Sequence, residues 1–265
     1  MDILSHACSG LAVGTFISSF SSLGRKHRWS ILGFSTLAGA LPDLDAISLW
    51  SGFDRTLGQW FQHRHLGRDI YSEKFWYSHH GFLHSLAAAF LCTALLGLLF
   101  FLINQFQQNK KTDFIKNSTL IFVAFFFGFT IHLLEDMPTP ASSWGGVNFF
   151  WPSTNYTGGW GKIWWWNNYD LFLIIVSVIL TNLAINTFKK HIPIQAFKLT
   201  GTVLMLGFGL ALYQINTRPI SFAYSGNTTR YQEFEQKSKN IQLEILGPRL
   251  YHWMEKFDQQ LPFYF

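Results

Sequence analysis

The chain has 265 residues, of which 49 % are hydrophobic, 18 % aromatic and only 13 % charged. That charged share is far below the roughly 25 % of ordinary soluble domains and excludes a soluble globule. The formal net charge of +5 calls for no nucleic-acid partner, because the basic residues gather between apolar runs, where they orient a membrane protein.

In chain order, apolar runs at 3–23, 29–50, 81–104, 118–137, 170–188 and 197–215 predict about six spans of a hydrocarbon layer roughly 30 Å thick, the first being the shortest and most polar. Asp2 stands where a signal peptide carries basic residues, so the first run is expected to be retained. Arg25, Lys26 and Arg28 follow the first run, Lys110, Lys111 and Lys116 the third, and Lys189, Lys190 and Lys198 the fifth. The linkers 51–80 and 138–169 are poorer in basic residues, so the positive-inside rule puts both termini outside. The expected fold class is therefore an all-α polytopic membrane helical bundle over 1–216, followed by a C-terminal extracytoplasmic helical tail over 217–265. Cys8 and Cys92 both fall in apolar runs and indicate no disulfide framework.

Ionisable residues inside such runs are costly, which makes their positions informative. His6 lies at the outer end of the first run. The second run delivers Asp43 and Asp45 in Pro42-Asp43-Leu44-Asp45, and Pro42 loosens the backbone there. His63 and His65, at i and i+2, read as surface residues. Tyr77-Ser78-His79-His80-Gly81-Phe82-Leu83-His84 then brings three histidines to the mouth of the third run. The fourth run ends in Thr130-Ile131-His132-Leu133-Leu134-Glu135-Asp136, stopped by Pro138. His132 and Asp136 are i, i+4 and share a helix face about 6 Å apart along the axis, a spacing that suits one metal ion. Asp170 opens the fifth run as a possible further ligand or partner to a histidine. By topology all of these reach the outer face, whereas His27 and His191 sit among inner lysines and arginines.

Mixed nitrogen and carboxylate ligands suit zinc best, with manganese or iron as alternatives. The linker 138–168, rich in glycine and tryptophan, is read either as an interfacial belt or as a lid over the site. In the tail, Gly247-Pro248 separates two helices, and Leu250, Trp253, Met254 and Phe257 form the expected apolar stripe of the second.

Pro42-Asp43-Leu44-Asp45, His79 and His84 around Gly81, and His132-Leu-Leu-Glu-Asp136 with Gly146-Val147 and Trp151-Pro152 beyond it resemble the LexA-regulated family of bacterial inner-membrane metal-dependent hydrolases. The resemblance covers 1–188 and implies a His/Asp metal site that includes His6; the family's usual arginine after His79 is His80 here. The order of ligands is also similar to that of zinc-dependent phospholipases C. Together these observations predict a metal-dependent hydrolase of the inner membrane, acting at its outer face on a lipid-linked phosphoester or other lipid ester. The expected metal ligands are His6, Asp43, His79, His84, His132 and Asp136. Asp45 or a spare histidine is the expected general base, and His80 or Arg64 is expected to face an anionic substrate. Membrane lipids are the expected partners. The competing expectations are a transporter or metal-handling protein using the same cluster, and a scaffold in which a metal only staples the helices.

Overall fold

The computed structural model describes residues 1–20, 24–106, 111–191, 194–218, 221–222 and 231–261. Lys110, residues 21–23 of the first expected run, and residues 219–220, 223–230 and 262–265 of the expected tail lie outside them. The helices are α1 (Ile3–Ile17), α2 (Arg25–Ala40), α3 (Leu57–Trp60), α4 (Gly67–Ser72), α5 (Leu86–Phe106), α6 (Lys111–Asp136), α7 (Tyr169–Phe188), α8 (Ala196–Asn216) and α9 (Tyr231–Asp258). Among the described residues there is no strand, and the protein is an all-α membrane bundle.

Among the described residues, five helices are long and apolar enough to cross a membrane: α1 with its continuation to Phe20, α5, α6, α7 and α8. The expected second span at 29–50 differs. Its α-helix ends at Ala40, and Pro42–Leu49 continue as a 3-10 helix. Pro42 has no N–H to give to the helical ladder, so the backbone tightens there and carries Asp43 and Asp45 around the end of the bundle. Four basic or imidazole residues, Arg25 to Arg28, occupy the first turn of α2 and shorten its apolar part.

Helix α1 is the centre of the bundle and packs against α2, α6, α7 and α8. Small residues allow this, because helices in lipid associate through close van der Waals fit rather than through a hydrophobic driving force. A Cβ added to Gly10 would fall 2.2 Å from the Ser35 carbonyl, and one added to Gly39 would fall 2.3 Å from the His6 carbonyl. On the other side of α2, Gly128 of α6 brings its backbone equally close to Ser35. Helix α2 is thus held between α1 and α6 with backbones nearly touching. Side chains such as Ala38, Phe129 and Leu133, and below them Val13, Ile31 and Ile121, fill the rest.

The alternation of helix directions puts the start of α1, the end of α2, the start of α5 and the end of α6 at one end of the bundle. The segment 138–168 folds over that end, with Val147 and Thr157 exchanging backbone hydrogen bonds at 2.9 and 2.8 Å. Trp144 and Trp164 are buried in it, so it covers the bundle end as well as offering exposed Trp160. Helix α9 lies against this cover, with Phe234 and Ile241 packed on Trp164 and Phe222.

Gly247, at φ 70°, does break α9 into two helices before Pro248. The buried face of the second half is not the expected stripe. Tyr251 and Met254 face inward on Tyr169, while Leu250, Trp253 and Phe257 are exposed. On the same inner face Tyr169 donates its hydroxyl to Asp258 at 2.7 Å, so Tyr251, Met254 and Asp258 all meet the start of α7.

Candidate metal centre

Asp2 caps α1 by accepting from the Ser5 N–H at 2.8 Å, which starts the helix at Ile3, within one turn of His6. His6 enters the bundle end from α1, Asp43 and Asp45 from the 3-10 segment, His79, His80 and His84 from the turn before α5, and His132, Glu135 and Asp136 from the last turns of α6. The five histidines, Asp45 and Asp136 are buried, and Asp43 is half-buried.

Each of the five imidazoles uses Nδ1 on an outward acceptor. His132 donates to the Gly39 carbonyl at 2.7 Å and His80 to the Gly146 carbonyl at 3.0 Å. His79 and His84 take the two oxygens of Asp45 at 2.6 and 3.0 Å, and His6 takes Glu135 at 2.8 Å. A carbonyl accepts only, so the proton of His80 and His132 sits on Nδ1 and leaves the Nε2 lone pair for the interior. This is the outer-partner pattern that fixes tautomer and ring orientation in metal-ligating histidines. The close helix contacts make it possible. Gly39 can offer its carbonyl to α6 because nothing but hydrogen stands between α1 and α2 at that level. Gly146, at φ 112°, turns its own carbonyl to His80 where an added Cβ would strike Thr157.

The inner atoms are correspondingly short of donors. His84 Nε2 and His132 Nε2 face each other at 3.2 Å. Asp136 Oδ2 lies 3.1 Å from His132 Nε2 and 3.5 Å from His84 Nε2, and Asp43 Oδ1 lies 3.7 and 3.8 Å from the same atoms. His6 Nε2 and Asp136 Oδ2 are buried without a hydrogen-bond partner. Acceptors turned toward acceptors in a buried place require something positive among them. In this arrangement protons supply part of it. Burial opposes charge on His84, yet Asp45 and Asp136 beside it push its pKa up to about 10. Burial likewise opposes charge on Asp45, but His84 and His79 hold it well below the ordinary carboxylate range. The Met1 ammonium adds another positive charge, 2.5 Å from Asp136 Oδ1.

Two sets of donors have the compactness a metal ion needs: His6, Asp43, His132 and Asp136, and His79, His80 and His84. Asp136 Oδ2, 3.5 Å from His84 Nε2 and 3.9 Å from His80 Nε2, links one set to the other. The donor chemistry, all imidazole nitrogen and carboxylate oxygen, fits zinc or manganese. A cavity of about 810 Å³ opens beside the cluster, with Asp43, His79, His80 and Asp136 on its wall and Tyr71, Lys74, Ser142 and Ser143 opposite or around them.

All six residues expected as metal ligands are therefore together, with Asp45 and His80 among them. Asp45 is bound by His79 and His84 through both oxygens, so it positions ligands. Asp170 takes part in neither donor set; its carboxylate accepts from Arg218 at 2.8 and 2.9 Å and from Gln242 at 2.9 Å. Arg64 is exposed, as are His63 and His65, and the cation on the cavity wall is Lys74. Glu135 and Lys74 went unassigned in sequence. Glu135 had a signal, since it sits three residues beyond His132 on the same turn, whereas Lys74 depends on the path of an irregular linker.

The fold and the site define a polytopic α-helical membrane protein with a buried histidine–carboxylate cluster at one end of its bundle. The model of the YdjM inner membrane protein family matches residues 1–218, and the chain belongs to that family. It is the family that the motifs around Asp43, His84 and His132 resemble. No curated protein matches the chain, and no solved structure does.

Proposed function

We propose that this protein is a membrane-embedded metal-dependent hydrolase whose substrate is a lipid-linked phosphoester or other lipid ester. The observation that carries this is the convergence of inward Nε2 and carboxylate oxygens beside an 810 Å³ cavity, on whose wall Asp43, His79, His80 and Asp136 lie. A purely structural metal staple needs no such opening. One or two divalent ions, best zinc and otherwise manganese or iron, would supply Lewis-acid polarisation of the scissile bond and activation of water near neutral pH. His6, Asp43, His132 and Asp136 would hold one, and His79, His80 and His84 the other. Asp45, Glu135 and the carbonyls of Gly39 and Gly146 keep the imidazoles aimed. Lys74, on the cavity wall, meets the anionic part of the substrate.

The basic first turn of α2 and Lys189 and Lys190 after α7 lie at the opposite end of the bundle from the cluster. The positive-inside rule then supports an extracytoplasmic site. The ligand order shared with zinc-dependent phospholipases C favours a phosphoester over a carboxylic ester. The rival, a metal transporter, needs a polar path through the bundle. Thr15, Ser18, Asn182 and Asn186 do form a polar network near the other end, with Asn186 donating to the Thr15 carbonyl at 2.9 Å. Ala12, Val178 and Ile179 pack as an apolar layer on the cluster side of it.

The test is lipid mass spectrometry on protein reconstituted with zinc or manganese in vesicles of phosphatidylethanolamine and phosphatidylglycerol. Wild type is expected to release a water-soluble headgroup or a fatty acid, and Asp136→Asn is not. Metal uptake into the vesicle lumen without any lipid product would overturn the hydrolase in favour of the transporter.

A further inference from the structure

Helices α6 and α8 both pack on α1, yet among the described residues they make at most marginal contact with each other. The seam left between them is a groove of about 580 Å³ floored by α1 and α7. A second apolar hollow of about 490 Å³ continues it and shares Val13, Ile131, Leu134 and Leu204 with it. On α6 the wall residues Leu120, Val123, Phe127, Ile131 and Leu134 recur at i, i+3, i+7, i+11 and i+14, one face of a helix. From Leu120 to Leu134 that face runs roughly 21 Å. One leaflet's share of the hydrocarbon core is roughly 15 Å, so the groove is long enough for a lipid chain of that leaflet.

We propose that this groove seats one hydrocarbon chain of a phosphorylated membrane lipid whose headgroup lies in the cavity at the histidine–carboxylate cluster. Two features choose this occupant. The first is continuity with the site: the groove ends at Ser9 and Glu135, and Glu135 is the residue that orients His6. Met1 lines both the groove and the cavity that carries Lys74, so a lipid-facing channel and a polar chamber meet at the cluster. The second is charge. Lys162 lines the groove and Lys74 the chamber, so each of the two compartments offers a cation to a phosphate. The outer face of α5 is equally apolar, with Leu95 and Leu99 exposed, but leads to no such end.

A chain entering the groove from the bilayer gains little from the hydrophobic effect, because lipid tails are already apolar. Its fit therefore sets register. The chain aligns the ester linkages at the cluster, and the headgroup supplies the affinity. The chemistry at the cluster rests on the hydrolase proposal, whereas occupancy of the groove is measurable without it.

The experiment uses full-length protein in vesicles of phosphatidylethanolamine and phosphatidylglycerol doped with a phosphatidylglycerol that carries a diazirine on one acyl chain. After photolysis, adducts are mapped by peptide mass spectrometry. Labelling at Phe127, Ile131, Met205 and Phe208 is expected to exceed that at Leu95 and Leu99 roughly fivefold, and Leu204→Trp is expected to remove the excess while leaving metal content unchanged. Met205→Trp, at a position 66 % exposed, serves where Leu204→Trp fails to fold. Even labelling over both faces, or labelling that neither tryptophan changes, overturns the groove assignment. Groove labelling with no lipid turned over removes the hydrolase and keeps the groove; turnover with even labelling does the reverse.

Discussion

The bundle end holds two buried polar networks, each built around aspartate, that differ in what the carboxylates face. In one, Asp170 receives Arg218 and Gln242, and its own N–H goes to Gln242 at 3.0 Å, so each charge meets its opposite. In the other, five imidazole Nδ1 atoms are turned outward to carboxylates and carbonyls while Nε2 atoms and carboxylate oxygens converge on a shared interior. The first network pairs its charges and fastens α7, Arg218 just beyond α8, and α9 together, with Arg218 Nε and Nη1 left without a hydrogen-bond partner among the described residues. The second sets the His84 imidazolium and the Met1 ammonium against several carboxylates and opens to a cavity. Burial is common to both; the convergence of ligand atoms beside a cavity separates a binding site from a fastening.

The contrast is sharpest for ligand loss. His132→Ala or Asp136→Asn removes an inner donor, and bound metal is expected to vanish from folded protein by elemental mass spectrometry. The effect should exceed the roughly 10–100-fold that loss of an outer partner costs. Asp170→Asn should do the opposite. Leaving the Arg218 charge buried without its partner costs about 3–5 kcal/mol, so thermal unfolding in detergent shifts strongly downward while metal per folded chain stays as in wild type. If Asp170→Asn lost metal in proportion to His132→Ala, the two networks would be one.

Asp45→Asn comes next. It keeps the shape of the side chain but leaves one acceptor oxygen where His79 and His84 use two, so one imidazole N–H faces an NH2 donor, and metal affinity is expected to fall roughly 10–100-fold by competition with a chelator. Gly39→Ala attacks the same tautomer control through the backbone. Its Cβ would meet the His6 carbonyl at 2.3 Å, so α1 and α2 must part. Overpacking of this kind costs about 1–3 kcal/mol, read as a lower unfolding temperature together with weaker metal binding. Lys74→Gln should have the smallest effect, with metal content unchanged and only turnover of anionic lipid reduced.

Much of the ligand set was legible because ionisable residues stand out in apolar runs. His132 and Asp136 announced themselves by spacing, and Asp43, His79 and His84 by lying where apolar runs begin or end. The outer partners were not legible in the same way. Gly39 and Gly146 act through carbonyls, which every residue has, and only the close approach of α2 to α6 and the turn at Gly146 put them to use. Asp170 was read toward the metal because its true partner, Arg218, is 48 residues away and at the far end of another helix. The second half of α9 was read from its apolar stripe, of which only Met254 is buried, because the inner face also takes Tyr251 and Asp258 against Tyr169. The shortened α2 followed from Pro42, whose presence was plain but whose effect on helix length depended on how the 3-10 turn packed.

The most direct measurement is the metal content of purified, folded wild-type protein beside His132→Ala and Asp170→Asn. A divalent ion bound stoichiometrically in wild type and in Asp170→Asn, and lost in His132→Ala, is the predicted result. Folded wild type that carries no metal and takes up neither zinc nor manganese on dialysis would contradict it, and the inward imidazoles would then be held by protons alone.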